Sequence, residues 1–489
     1  MRANAKSTFT TQRSELFFWI LLAASLLLAK ILVFGIDHIP RIFLGDSAFY
    51  LYTSYTGAIP DDRSFTYGCL IAFLTGGSHI QGLLLAQTLS ATITALLAAV
   101  ILRCGFGASR ALAAAAAILA ALAPLQLAYE RFVLTESFAT LCFALMVTAA
   151  ALYLRRPNAL LLVGTSAAGV GLLSLRLNTV PLAWATIVLA PLLAWTRVLR
   201  PWRHLAIGLL ATLTLHSAYR EHYAALRQGP PSYYYGRGGV LLALLSPLIQ
   251  PEDFPTSEFA ARVLAQTEVP LQGPALHLRD LQMWAPTGLM TALRRNLPDE
   301  DSIEVNSIAE AIALHAVRRD PLGTVMLGVT TVRSYLDPFL TGDFYPLGFR
   351  RIVKEEQGPD QVPDGDPLRR FSISSESIQP SFTRWWHSEA IPWYPMLLLC
   401  PAVGLAAAAL IERRRRAMTL FIAAQAMFAI MTGPFIALST VVRYLHSLEW
   451  LMVLSIAILF HAIASRTTGA TAECRSSPES PRNADLEEL

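Results

Sequence analysis

The sequence is poor in charge and has no paired cysteines. Only 15% of its 489 residues are charged and 54% are hydrophobic, whereas soluble domains carry about 25% charged residues. The five cysteines show no paired spacing, which argues against a disulfide framework and against a zinc site. The ten histidines follow no metal-binding motif. The composition therefore excludes an ordinary soluble domain and points to no metal centre.

The sequence also lacks the binding motifs for two classes of ligand, nucleic acids and ATP. No stretch rich in lysine and arginine is interleaved with aromatic residues, so nucleic-acid binding is not predicted. No ATP-binding motif is present either. Any group-transfer reaction by this chain would therefore need a donor that is already activated.

Long apolar runs dominate what is present. Several runs of about 18 residues or more predict an all-α polytopic membrane protein with about ten transmembrane helices. The predicted spans are residues 17–36, 80–102, 111–127, 132–154, 159–175, 179–195, 205–219, 391–411, 418–440 and 448–465. The run at 17–36 is too long for a signal peptide and has no small-residue cleavage site, so we expect an uncleaved anchor.

Composition shifts divide the chain into four parts. Residues 1–219 form an N-terminal transmembrane catalytic module with short loops, and residues 220–389 form a polar, Pro- and Gly-rich region of helices and loops between the seventh and eighth spans. Residues 390–465 add the C-terminal transmembrane helices, and the Ser/Pro/Glu-rich residues 466–489 are predicted to be disordered. Within the polar region, residues 322–340 are predicted to form a surface-lying amphipathic helix, with a membrane span as the alternative.

The arginines are distributed asymmetrically between the two membrane faces. Clusters follow the second, fourth, sixth and eighth predicted spans, ending with Arg413 to Arg416. The positive-inside rule then places both termini in the cytoplasm. The first loop, the short loop at Glu130 and the region 220–389 consequently share the extracytoplasmic face.

Asp46 stands out on that face, just beyond the first apolar run. It lies between Gly45 and a segment of small and aromatic residues. A carboxylate so close to lipid needs a polar cavity or a partner, because desolvating it alone costs several kcal/mol. Two interpretations follow from the local sequence: a base in a membrane enzyme, or an interfacial cap at the start of a short helix.

Other carboxylates and isolated arginines fall near the same face. They are Glu130, Glu136, Arg131, Arg176 and Arg443. Arginine can bind phosphate oxygens bidentately and a carboxylate can accept a proton from an attacking hydroxyl, so this set suits chemistry on a lipid phosphate. A prenyl-phosphate sugar is an activated donor of this kind. The structural alternatives are that arginines at span ends only snorkel and that Glu136 pairs with Arg131 or with a helix N-terminus.

Four stretches carry a resemblance to a known family. They are Gly45–Tyr50, Arg63–Tyr67 with Gln87, Tyr129–Arg131 with Pro124 and Leu134–Glu136, and Arg443–Tyr444. In their order and common face they resemble the GT-C glycosyltransferases that use polyprenyl-phosphate-linked sugars, specifically the bacterial relatives of protein O-mannosyltransferases and lipid A aminoarabinose transferases. The resemblance covers the whole membrane part, most clearly residues 15–200.

The resemblance implies an inverting glycosyl transfer at the bacterial inner membrane. Asp46 would be the general base, and Arg131, Arg176 or Arg443, with Tyr444 beside it, would hold the leaving phosphate. Glu130 and Glu136 would contribute to substrate binding. The implied partners are membrane lipids, the polyprenyl-phosphate sugar, and a lipid, glycan or protein acceptor.

Two departures from the family pattern bear on cofactors. Many members have an acidic pair in the first loop, whereas Asp46 is followed by Ser47, and residues 64–70 lack the prolines that many members have. A single carboxylate is a poor divalent-cation site. No metal ligand is therefore assigned, and no cofactor is predicted beyond the donor substrate.

The main alternative function is transport, either as a transporter or as a flippase of a lipid-linked glycan. That class usually shows internal repeats and charged or broken helices at mid-membrane. Here the deep parts of the predicted spans are almost free of charge, which favours an enzyme. A noncatalytic assembly partner with the same fold would tolerate the loss of Asp46.

Overall fold

The protein is described by a computed structural model that covers residues 2–198, 200–272, 277–337, 370–371, 373, 381–438 and 440–476. For residues 2–12, 44–45 and 468–476 only the backbone is described. The described residues contain no β-strand. They include one isolated parallel bridge, between Arg41 and Phe132.

Twenty α-helices make up most of the described chain. The first ten are α1 (Arg2–Ile36), α2 (Leu44–Thr56), α3 (Phe65–Thr75), α4 (Gln81–Val100), α5 (Arg110–Ala121), α6 (Pro124–Tyr129), α7 (Glu136–Arg155), α8 (Ala159–Leu175), α9 (Val180–Leu193) and α10 (Pro201–Arg227). The others are α11 (Arg237–Leu244), α12 (Ser257–Ala265), α13 (His277–Trp284), α14 (Leu289–Arg295), α15 (Ser302–Arg319), α16 (Pro321–Ser334), α17 (Phe382–Ala390), α18 (Cys400–Leu410), α19 (Arg413–Thr432) and α20 (His446–Ser476). A π-helical segment, Ile101–Phe106, extends α4.

Six helical segments of the described chain are long and apolar enough to cross a membrane. They are Arg13–Ile36, Gln81–Phe106, Glu136–Arg155, Phe382–Leu410, Arg413–Ile436 and Val442–Thr467. Four shorter apolar helices accompany them: Phe65–Thr75, Arg110–Ala121, Ala159–Leu175 and Leu177–Leu193. The predicted class, an all-α polytopic membrane protein, is confirmed.

The predicted span at residues 111–127 is divided in the structure. Helix α5 ends at Ala121, and Pro124 begins α6. Proline lacks a backbone N–H and disfavours helical geometry in the residue before it, so it ends one helix and suits the first turn of the next. The carboxylate of Glu449 accepts hydrogen bonds from the backbone N–H groups of Leu125 and Gln126, at 3.1 and 2.9 Å, and so caps α6.

Two further predictions about helix length can be compared with the observed helices α10 and α16. Residues 205–219 lie within α10, which has 27 residues but is too polar to be among the six long apolar segments. Helix α16 has 14 residues, fewer than the roughly 20 that a span needs. This length supports the surface helix predicted at 322–340, of which residues 338–340 lie outside the described part.

The C-terminal tail differs from its prediction in part. Helix α20 continues to Ser476, so the backbone of the first part of the tail is helical in the structure. Arg466 helps to hold this extension, because its Nε and Nη2 donate to the carbonyls of Leu410 and Ala409, at 2.7 and 3.1 Å. Residues 477–489 lie outside the described part of the chain.

The polar region has a hydrophobic core of its own, separate from that of the membrane bundle. Helices α11 to α15 bury side chains against one another, including Leu242, Leu293 and Ile312. Helices α11 and α15 approach so closely that a Cβ on Gly238 would lie 1.7 Å from the backbone oxygen of Asn306. This core fixes α13, which reaches the candidate site described below.

Candidate functional site

Asp46 lies in the first turn of α2, where the helix dipole favours a negative charge. The cap interaction at this helix end is made by another residue: Ser47 Oγ accepts from the backbone N–H of Phe43 at 2.8 Å and donates to the carbonyl of Val133 at 2.9 Å. The described hydrogen bonds of the Asp46 carboxylate all come from arginine side chains. It faces arginines instead, so the simple cap interpretation does not account for it.

Five charged side chains alternate in sign around Asp46, and we call them the charge row: Arg63, Asp46, Arg443, Glu136 and Arg176. Arg63 donates to Asp46 Oδ1 from Nε and Nη2, at 3.0 and 2.8 Å, and Arg443 Nη1 donates to Oδ2 at 2.7 Å. Arg443 Nε lies 3.3 Å from Glu136 Oε1, and Arg176 Nη1 lies 4.0 Å from the same oxygen. Three guanidinium groups thus face two carboxylates, and Arg176 has the longest ion pair.

Distant parts of the sequence supply the charge row. Glu136 begins α7, Arg176 follows α8, and Arg443 lies in the 3₁₀ turn before α20. Asp46 comes shortly after α1 and is 397 positions from Arg443. The row therefore lies where several apolar helices begin or end, which is the boundary expected between hydrocarbon and headgroups.

The charges of the row act on the pKa of Asp46. Burial raises this pKa, but the guanidinium groups of Arg443 and Arg63 outweigh burial, and the net effect lowers the pKa below its usual value. The carboxylate is therefore ionised at neutral pH. For Asp280 the balance is reversed, because burial and the negative charge of Asp46 together raise its pKa.

Aromatic rings line the arginines of the row. The guanidinium of Arg443 lies over Phe43 and Tyr444, at 5.1 and 5.5 Å from the ring centroids, and that of Arg176 lies 5.4 Å from Tyr444. Cation–π contacts of this kind hold an arginine without neutralising its charge. Arg176 and Tyr444 also line a small cavity of about 20 Å³ between the helices.

Glu130 and Arg131 lie in a second, deeper cluster. Both are fully buried, and Glu130 forms an ion pair with Lys30 of α1. Arg131 donates to Thr88 Oγ1 at 3.0 Å and to the carbonyl of Asp37. Neither residue contacts the charge row among the described ion pairs and hydrogen bonds. Their predicted roles in substrate binding stay predictions, and the predicted pairing of Glu136 with Arg131 is replaced by its contacts with Arg443 and Arg176.

The deeper cluster supports the charge row through the backbone. Arg41 N–H donates to the carbonyl of Arg131 at 2.6 Å, and Val133 N–H donates to the carbonyl of Arg41 at 2.9 Å. Gln87 donates to the carbonyls of Glu130 and Phe132, at 3.0 and 2.9 Å. The segment 130–133 is thus held between α4 and the chain that leads into α2. The arrangement assigns Glu130 a structural task.

We expect that breaking the Lys30–Glu130 pair on one side only destabilises the protein. Lys30→Met or Glu130→Gln leaves one buried group unpaired, which costs about 3–5 kcal/mol. The double substitution should recover much of the loss. The measurement is a double-mutant cycle of apparent Tm in detergent.

Glu15→Gln is the control for this cycle. The partners of Glu15, Arg103 and Arg110, are partly exposed, so the change should cost less than about 1 kcal/mol. If Glu130→Gln kept its full Tm, the structural assignment of Glu130 would be wrong.

Three residues at the site had no predicted role. Arg63 lies in one of the stretches that carry the resemblance, yet its contact with Asp46 has no sequence signature. Trp284 and Asp280 come from α13 in the polar region, and Arg63 lies 5.1 Å from the ring centroid of Trp284. Half of the Trp284 side chain is exposed. No motif in the sequence links α13 to the first loop, because the core of the polar region brings them together.

The carboxylate of Asp46 is already bound by arginine side chains. Both oxygens of Asp46 accept from guanidinium groups, and hard cations need several oxygen ligands. The part of the chain that the structure describes holds no group of three or more His, Cys, Asp or Glu side chains placed to bind a metal ion.

A comparison with solved structures finds a distant likeness. The crystal structure of ArnT from Cupriavidus metallidurans bound to undecaprenyl phosphate is 14% identical to this chain, with a TM-score of 0.34. The match covers 96% of this chain and 82% of that one. No protein-family model and no curated protein matches the chain. A likeness at this TM-score and identity does not establish a shared function.

Proposed function

We propose that the chain transfers a sugar from a polyprenyl-phosphate-linked donor to an acceptor on the extracytoplasmic side of the bacterial inner membrane, with inversion at the anomeric carbon. The observation that carries the proposal is Asp46 held between Arg63 and Arg443 at the ends of apolar helices. Such a site offers a base for an acceptor hydroxyl and cations for a lipid phosphate. The family resemblance of the surrounding stretches supports the same reaction.

The donor phosphate binds at the Arg443 and Arg176 end of the row. Arg176 has the weakest existing ion pair, and Arg443 presents a planar guanidinium that can bind phosphate bidentately. When Arg443 turns to the phosphate, it releases Asp46 Oδ2. The donor thereby frees the oxygen that the acceptor hydroxyl needs, and binding is ordered with the donor first.

The same exchange tunes the base. In the free protein the two arginines keep the pKa of Asp46 low, which makes it a weak proton acceptor. The donor phosphodiester carries one negative charge, which beside Arg443 offsets the charge of the guanidinium and raises the pKa of Asp46 towards the range that suits a general base. Asp46 becomes an effective base only after the donor has bound, which limits hydrolysis at other times.

In the chemical step, the acceptor oxygen attacks the anomeric carbon from the side opposite the phosphate. The bond between that carbon and the phosphate oxygen breaks, and the hydroxyl proton passes to Asp46 Oδ2. Polyprenyl phosphate leaves with the electron pair of the broken bond, and Arg443 and Arg176 stabilise its added charge. Trp284, exposed beside Arg63, offers a flat apolar surface for a sugar ring.

The proposal is tested with purified protein in nanodiscs. A panel of prenyl-phosphate sugars is supplied together with membranes from cells that lack this gene, and mass spectrometry follows the acceptor and the released prenyl phosphate. We expect one donor to give both a glycosylated product and prenyl phosphate in equal amounts. Movement of the intact lipid-linked sugar across the bilayer without either product would instead identify a flippase.

A further inference from the structure

A second polar site lies at the other end of the membrane helices. Helix α7 begins at Glu136 of the charge row and ends, 20 residues later, at Arg155, a distance of about 30 Å. There, four arginines line a cavity of about 400 Å³: Arg155, Arg197, Arg414 and Arg415. The cavity plays no part in the proposed sugar transfer.

The arginines of this cavity have no acidic ion-pair partner among the described residues. No carboxylate lines the cavity, and none forms an ion pair with these four side chains in the described part of the chain. Their contacts are neutral: Arg197 donates to the carbonyls of Leu154 and Arg414, at 3.3 and 2.6 Å, and Arg415 Nη1 lies 2.9 Å from His461 Nε2. Like charges gathered in one cavity repel each other unless an anion lies between them.

Other arginines at the same end of the bundle are neutralised within the chain. Arg103 and Arg110 both form ion pairs with Glu15. The contrast shows that the chain can supply a carboxylate at this membrane face. No such carboxylate lines the cavity of the four arginines.

The position of Arg414 and Arg415 also runs against local electrostatics. They lie in the first turn of α19, which contains no acidic residue. The positive end of a helix dipole disfavours cations. An anion in the cavity would interact favourably with both the arginines and the helix end, adding to Glu412, the N-cap residue of α19.

We infer that this cavity binds the headgroup of an anionic phospholipid with two phosphates, drawn from the leaflet opposite the charge row. Basic pockets between the ends of transmembrane helices suit such headgroups. Four guanidinium groups match two phosphates, since each phosphate can accept bidentate contacts from more than one arginine. Leu154 and Met418 add an apolar side to the lining, as a lipid ligand requires.

Matched variants test the site. A first triple variant removes three of the charges that line the cavity: Arg155→Gln/Arg414→Gln/Arg415→Gln. Arg156→Gln/Arg413→Gln/Arg416→Gln removes three charges from their sequence neighbours, which do not line the cavity. Native mass spectrometry of the detergent-solubilised full chain measures binding of cardiolipin, phosphatidylglycerol, phosphatidylcholine and inorganic pyrophosphate.

We expect the unaltered chain to bind cardiolipin more tightly than phosphatidylcholine. At about 1 kcal/mol per arginine, the lining variant should bind cardiolipin about a hundredfold more weakly, and the neighbour variant should stay close to the unaltered chain. The single change Arg155→Gln, whose side chain is exposed, should weaken binding about fivefold. It keeps the test decisive if the triple variant does not fold.

Three results would overturn the inference. One is equal weakening in the lining and neighbour variants, which would indicate a general basic surface. Another is an unaltered chain that does not distinguish cardiolipin from phosphatidylcholine. The third is tight binding of pyrophosphate without binding of cardiolipin, which would assign the cavity to a soluble phosphate compound.

Discussion

Asp46→Asn is expected to reduce sugar transfer by about a thousandfold while the protein still inserts and folds. General-base catalysis contributes about 10²- to 10⁴-fold, and an amide cannot accept the proton of the acceptor hydroxyl. Asparagine has nearly the same shape as aspartate, so the space between Arg63 and Arg443 stays filled. The measurement is the initial rate of prenyl-phosphate release by purified protein at saturating donor and acceptor.

Asp61→Asn is the matched control for this substitution. Asp61 is in the same loop, but it forms its ion pair with Arg227 and accepts from Ser302, away from the charge row. Its loss should leave the rate within about threefold, as befits a partly exposed ion pair. Transfer by Asp46→Asn at a rate close to that of Asp61→Asn would show that Asp46 is not the base.

Arg443→Gln is expected to have the second-largest effect, on donor binding and on the chemical step together. A charged hydrogen bond to the donor phosphate contributes about 1.5–3 kcal/mol, so the KM for the donor should rise about tenfold to a hundredfold. Loss of support for the leaving phosphate should lower kcat about a hundredfold as well. Arg443→Lys should recover only part of both, because an ammonium cannot bridge Asp46 and Glu136 as a guanidinium does.

The pH profile separates this role from a purely structural one. Arg443 lowers the pKa of Asp46, so its removal raises that pKa and the carboxylate becomes protonated at a higher pH. The acid limb of kcat/KM should therefore move to higher pH in Arg443→Gln. Arg237→Gln, which removes an exposed partner of Glu310, should leave the limb in place. An unchanged limb in Arg443→Gln would contradict the pairing with Asp46.

The sequence predicts the membrane architecture well because apolar runs act locally. Length and hydropathy suffice to predict membrane-spanning segments such as Gln81–Phe106, because such segments are defined by their length and apolar composition. The hydropathy pattern does not predict the break before α6, although Pro124 is a local signal for a helix start. Hydropathy averages over a window, so it does not register a single proline.

The candidate site could be predicted only in part. Asp46, Glu136, Arg176 and Arg443 are near one another because they lie at the ends of apolar spans on one predicted face, and the order of the spans fixes that. Glu130 shares the same face in sequence, but it turns inward to Lys30, and that choice depends on packing between α1 and α4. Arg63 likewise gains its role from the fold of the first loop.

The contact between Lys30 and Glu130 makes the first helix more than a membrane anchor. Most of α1 faces outward from the bundle, as a generic hydrophobic anchor would. Yet Lys30 lies less than two turns from its end and holds the segment that positions Asp46. An unrelated hydrophobic helix of equal length would still tether the chain to the bilayer, but it would lack the lysine that supports the loop carrying Asp46.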